Sequence, residues 1–95
     1  MKTKMLAQNW RGFIRLILTA STEKELNELL DLTLTNAEKD DLSVRYAIIK
    51  ELIANEKPQR EIAKTLEISL AKVTRGSNAL KTAKPTTKTW WIDKI

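Results

Sequence analysis

The 95-residue chain contains no cysteine and no histidine, and it has only two glycines and two prolines. Without cysteine there are no disulfides, no thiolate nucleophile and no thiolate metal site. Without histidine the commonest general base and metal ligand is missing too. An enzyme with catalytic residues or a resident metal is therefore not expected. The scarcity of turn residues argues against a many-stranded fold, whereas alanine, leucine, glutamate, lysine, isoleucine and threonine dominate, so helix formers far outnumber breakers. An all-α chain is expected. Long apolar runs are also absent: the stretch from Met1 to Leu18 is interrupted by Lys2, Lys4, Arg11 and Arg15, unlike a signal peptide or a membrane span. A cytoplasmic protein with no membrane partner is the expectation.

What is present begins with charge. The net value of +5 conceals an asymmetry, because residues 1–56 hold eight basic and nine acidic side chains while residues 57–95 hold nine basic and three acidic. The second part is the one suited to a polyanion; a solvated basic surface would give the same count. A chain this short makes one domain and buries a modest share of its surface, which favours self-association.

Apolar side chains recur at helical spacing in the first segment, at Leu6, Trp10, Phe13, Ile14 and Ile17, and that helix should end near Ala20 and Ser21. Thr22 with Glu25 has the spacing of a capping box and opens a second helix carrying Leu26, Leu29 and Leu30; Thr35 with Glu38 repeats the device. Between them lies Leu32-Thr33-Leu34-Thr35, read as a short linker. A third helix carries Leu42, Tyr46, Ile49, Leu52 and Ile53 on one face and stops near Asn55. Pro58 suits the first turn of a fourth helix reaching about Leu66. After a turn at Glu67 and Ile68, Ser69 is the expected N-cap of a fifth helix to about Thr82, and Pro85 opens a last one with Trp90, Trp91 and Ile95. Residues 1–56 are expected to form a dimerisation core, 57–84 a reading head, and 85–95 a terminal helix.

From Gln59 to Gly76 the text is QREIAKTLEISLAKVTRG. Ile62, Leu66, Ile68 and Val73 supply contacts that hold two short helices at a steep angle, and Ala63 is small where they pass closely. This is a helix-turn-helix signature, and an ordinary helical hairpin of the core is the alternative. The turn position that commonly holds a left-handed glycine is Glu67, at a cost of roughly 1 kcal/mol if that backbone is kept.

The run from Val73 to Lys81, Val-Thr-Arg-Gly-Ser-Asn-Ala-Leu-Lys, preceded by Gln59-Arg60-Glu61, resembles the bacterial tryptophan (trp operon) repressor family. The match carries without gaps upstream through Arg45 and Leu32-Thr33-Leu34-Thr35 to Trp10. The resemblance implies a DNA-binding transcriptional repressor: an intertwined homodimer, its first three helices making one core with those of the partner, which reads double-stranded operator DNA with L-tryptophan as corepressor. It also implies that Arg45 and Arg75 sandwich the indole, that Gly76 lets backbone approach the ring, and that the segment from Leu32 through Leu34 to Thr35 of the partner subunit offers carbonyls to the ligand's ammonium group and the Thr35 hydroxyl to the ligand. Two positions depart from the family pattern, Ala79 where a serine is common near that ammonium and Lys72 where a threonine is common.

A recognition helix enters the major groove with its N-terminal residues first, here Ser69, Leu70, Ala71, Lys72 and Thr74. Lys72 can donate to guanine acceptors, Leu70 and Ala71 can touch a thymine methyl, and Thr74 can bond directly or through water. Arg60, Lys64 and Lys81 are better placed for phosphates. Each residue also has a plainer reading. Arg45 lies four residues after Asp41 and suits a surface ion pair, Arg75 suits a phosphate contact, Leu32 and Leu34 suit a core, and Trp90 and Trp91 suit anchors of the last helix rather than base-stacking platforms. Three other functions stay open: a regulator of the same fold that answers another ligand or none, a transposase-type DNA-targeting module, and a pure protein-interaction module. A transposase also needs an acidic catalytic triad, for which 95 residues are expected to leave no room.

Overall fold

The computed structural model describes residues 2–95, which form six helices and no strand. Helix α1 (Lys2–Thr19) carries the apolar stripe led by Leu6 and Trp10 and ends where the Ala20 N–H bonds to the Ile17 carbonyl at 3.1 Å. Helix α2 (Glu23–Thr33) starts at the expected cap, with Thr22 Oγ1 accepting from the Glu25 N–H at 3.1 Å. The return arm of the box falls one residue early: Glu25 Oε1 accepts from the Ser21 N–H at 3.1 Å and from the Ser21 hydroxyl at 2.7 Å. These Ser21 bonds, first the hydroxyl's and then the backbone's, hold the Glu25 carboxyl below its ordinary pKa.

Leu32 and Thr33 are not linker residues; they complete the last turn of α2, and the break comes at Leu34, in extended backbone with its N–H on the Leu30 carbonyl at 2.8 Å. Neither residue is a helix breaker, and the Thr33 hydroxyl folds back onto the Leu29 carbonyl at 3.0 Å.

Helix α3 (Asn36–Ala54) follows Thr35 directly and ends at Asn55, whose positive φ of 53° an asparagine tolerates better than most side chains. Helix α4 (Gln59–Leu66) starts one residue after Pro58, so the proline is the cap rather than a member of the first turn. Its carbonyl accepts from the N–H groups of Glu61 and Ile62, and its missing N–H is not needed there. Glu67 adopts the left-handed conformation, φ 57° and ψ 45°, that the helix-turn-helix turn demands. Helix α5 (Leu70–Thr82) is capped by Ser69 Oγ, which accepts from the Lys72 N–H at 3.2 Å, and helix α6 (Pro85–Lys94) opens on Pro85.

The chain divides into two compact units, one ending at Asn36 and the other running Ala37–Ile95. Neither α1 nor α2 buries a single residue. In the second unit Ile62 and Val73 are fully buried with Ala63, flanked by Leu52, Leu66 and Ile68, which joins α4 to α5 through the side chains expected from the motif. Burying each of the two large ones contributes about 1.5–3 kcal/mol. On α3 the buried residue is Ile48, whereas Leu42 and Tyr46 of the expected face remain about half exposed. Apolar residues occur on more than one side of this helix, so spacing alone did not single out the packed one.

Candidate ligand cleft and nucleic-acid interface

A bare Cα sets the distance between α3 and α5. A Cβ added at Gly76 would lie 2.6 Å from Ile48 Cγ2 and 3.7 Å from Leu52 Cδ1, too close for any side chain without movement. Glycine therefore has a packing reason here, whatever it later admits to the site. Beside this contact opens a cleft of about 540 Å³, a size typical of small-molecule sites. Helix α3 lines it with Asp41, Val44, Arg45, Ile48 and Ile49, and α5 with Lys72, Arg75, Gly76 and Ala79. Residues three and four apart on a helix share a face, so each helix turns one continuous strip toward the space.

Four of the residues expected at the ligand, Arg45, Arg75, Gly76 and Ala79, thus meet around one cavity. Leu32, Leu34 and Thr35 belong to the other compact unit or its boundary, where Leu32 is 89% exposed, Leu34 is half-buried and Thr35 is exposed. Asp41 and Lys72 also line the cleft, although neither is among the residues expected to touch the ligand. Their distances from the two arginines, four and three residues, were the available signal. Among the described residues no ion pair joins Asp41 to Arg45, so the two guanidinium groups are not neutralised by the cleft's own carboxylate. A planar cation on each facing helix can stack on an aromatic ring, and its fork can hold a carboxylate. No group of three or more carboxylates that could hold a metal occurs among the described residues.

The helix-turn-helix presents a second surface. Leu70, Ala71, Lys72 and Thr74 are exposed on the leading turns of α5, Arg60 and Lys64 are exposed on α4, and Lys81 is exposed in the last turn of α5. Ser69 is exposed as well, with its side-chain oxygen serving the cap. The Thr74 hydroxyl donates to Gln59 Oε1 at 3.0 Å, a bond that ties the middle of α5 to the start of α4. Trp91 lies 6.1 Å from the Tyr46 ring and lines a small apolar cavity with Leu80 and Ala83, which makes it the anchor of α6; Trp90 is 59% exposed.

The family model described as Trp repressor protein matches residues 8–94. The chain belongs to the Trp repressor family. It is 37% identical over 88 residues to the Trp operon repressor homolog of Pasteurella multocida (strain Pm70), covering 93% of this chain and 86% of that one. The homolog of Haemophilus influenzae (strain ATCC 51907 / DSM 11121 / KW20 / Rd) is 39% identical over 83 residues, 87% of this chain and 82% of its own. That of Chlamydia trachomatis serovar D (strain ATCC VR-885 / DSM 19411 / UW-3/Cx) is 43% identical over 76 residues, 80% and 81%. The Trp repressor family is a regulatory, DNA-binding family and not a group of enzymes, so this member's helix-turn-helix serves transcription regulation. No helix among the described residues is long and apolar enough to cross a membrane.

Proposed function

We propose that the protein is a cytoplasmic homodimeric repressor that binds operator DNA when L-tryptophan occupies the cleft, and that it controls genes of tryptophan biosynthesis or uptake. The observation that carries this reading is the meeting of Arg45 and Arg75 across one cavity. Two guanidinium planes can sandwich an indole, with Gly76 and Ala79 beside it, while Leu32, Leu34 and Thr35 of the partner subunit complete the site. A ligand that touches both α3 and α5 binds best at one angle between them. It therefore favours the arrangement in which the reading helix fits the groove, and it shifts the equilibrium only by that difference in affinity.

Dimerisation is supported by the uncovered apolar face of α1, where Trp10 is 63% exposed and no residue is buried. In the dimer, residues 1–56 form the shared core, 57–84 the reading heads and 85–95 the terminal helix. Arg60, Lys64 and Lys81 take phosphates and fix the register; Leu70, Ala71, Lys72 and Thr74 meet base edges, with Ser69 heading the helix.

The test is operator affinity at fixed salt, with and without L-tryptophan. Wild type should bind more tightly with the amino acid, and Arg45→Ala or Arg75→Ala should remove that gain while leaving weak nonspecific binding intact. Equal operator affinity in both conditions would defeat the corepressor role and favour a regulator of this fold that needs no tryptophan.

A further inference from the structure

Helix α6 bridges the two helices between which the cleft opens. Toward α3, Trp91 lies 6.1 Å from the Tyr46 ring, and Lys50 Nζ sits 5.4 Å from the centre of that same ring. Toward α5, Trp91 lines a cavity of about 120 Å³ with Leu80 and Ala83. Ile49 and Ala79 line this cavity and the ligand cleft alike, so the two spaces share a wall. The cavity leaves the underside of α6 partly unfilled, and atoms facing a void have no partners to attract them. The ring contact, rather than close packing, is therefore what restrains α6.

The connection from α5 to α6 is short and stiff. Only Ala83 (φ −67°, ψ 149°) and Lys84 (φ −61°, ψ 142°) separate Thr82 from Pro85, both in extended backbone, and a residue before proline has little freedom to leave it. The Lys84 carbonyl accepts from the N–H groups of Thr87 and Lys88 at 3.0 and 3.1 Å, which fastens the linker to the first turn of α6. Turning α5 about α3 therefore carries α6 along and pulls Trp91 off Tyr46. While the rings stay in contact, α5 is held at the observed angle, and at that angle the cleft stands open at about 540 Å³. We propose that Trp91 is a positioning residue for the reading helix: by stacking on Tyr46 it straps α5 to α3 in the arrangement that receives the ligand. This inference rests on the tryptophan reading above, in which the same arrangement fits the groove. Strap and ligand then favour one state, and each strengthens the other.

The test measures affinity for a labelled operator at fixed salt, with and without saturating L-tryptophan, and tryptophan affinity by calorimetry, all on the full-length protein. Trp91→Leu keeps an apolar side chain and removes the ring; Tyr46→Leu removes the other partner, which is 46% exposed, so its loss leaves the fold standing. Each variant should weaken ligand-free operator binding and tryptophan binding by the same factor, roughly three- to tenfold. Saturating tryptophan should recover most of the operator loss, so that its gain exceeds that of wild type. Trp91→Phe, which restores a ring, should return close to wild type, and the double variant should lose no more than either single one. Affinity for an unrelated duplex should not change. An operator loss that tryptophan does not recover, or no loss at all, would overturn the strap. Should wild type gain nothing from tryptophan, the tryptophan reading fails and the ligand-free arm alone decides: operator binding weakened in both variants with the unrelated duplex unchanged supports the strap, and any other pattern overturns it.

Discussion

Residues up to Asn36 and residues from Ala37 onward are both helical, yet they use their apolar side chains in opposite ways. Among its described residues the first region has none that is buried, and Leu18 and Leu32 are 78% and 89% exposed. The second seals Ile48, Ile62, Ala63 and Val73 within itself. Most helical stability in proteins comes from covering an apolar face rather than from propensity, so the two regions obtain their stability differently. The second packs its helix-turn-helix within its own chain, so that part should depend little on concentration. In the proposed dimer the first would draw on the partner's surface, which would make its stability a function of protein concentration.

The sharpest way to break this contrast is to place a charge on the first region. Trp10→Asp should abolish dimerisation, since burying a lone carboxylate in an apolar interface costs several kcal/mol. Sedimentation velocity across micromolar concentrations would show it, and a variant that remains dimeric would mean that the α1 face is not the interface. A smaller effect is expected inside the second region, where Gly76→Ala should destabilise by about 1–3 kcal/mol because its Cβ must displace Ile48. Urea unfolding measures this, and a neutral outcome would show that α3 and α5 separate freely. The smallest effect has the opposite sign. Glu67→Gly should raise stability by about 0.5–1 kcal/mol, because it relieves a left-handed conformation at the price of a looser unfolded chain. A thermal melt on the same samples reads it.

What the sequence made legible was local. Thr22 and Ser69 cap the helices they were expected to cap, and Glu67 bends backward as its place in the motif required. The helix-turn-helix contacts follow from four apolar positions, whose spacing would also suit an ordinary helical hairpin. Less legible was anything decided between distant segments. Arg45 and Arg75 were paired through a family resemblance; helical spacing puts Asp41 and Lys72 on the same faces as the arginines, but that those faces meet depends on how α3 crosses α5. Gly76 is the same case: its packing against Ile48 is a fact about the crossing, and the text around Arg75 suggested only an approach to a ligand. The end of α2 was misplaced for a different reason, because Leu32 and Thr33 are compatible with either state and the break at Leu34 carries no glycine or proline to announce it.

If α5 reads base edges as proposed, the bond from Thr74 to Gln59 limits what Thr74 can contribute. A hydroxyl has a single proton, and this one is directed at Gln59 Oε1. What Thr74 can turn outward is therefore a pair of lone pairs, which suits the exocyclic amino groups of adenine and cytosine and is mismatched to the O6 of guanine or the O4 of thymine. A side chain that could speak as donor or acceptor has been given one grammatical role, fixed by a glutamine fifteen residues earlier in the chain.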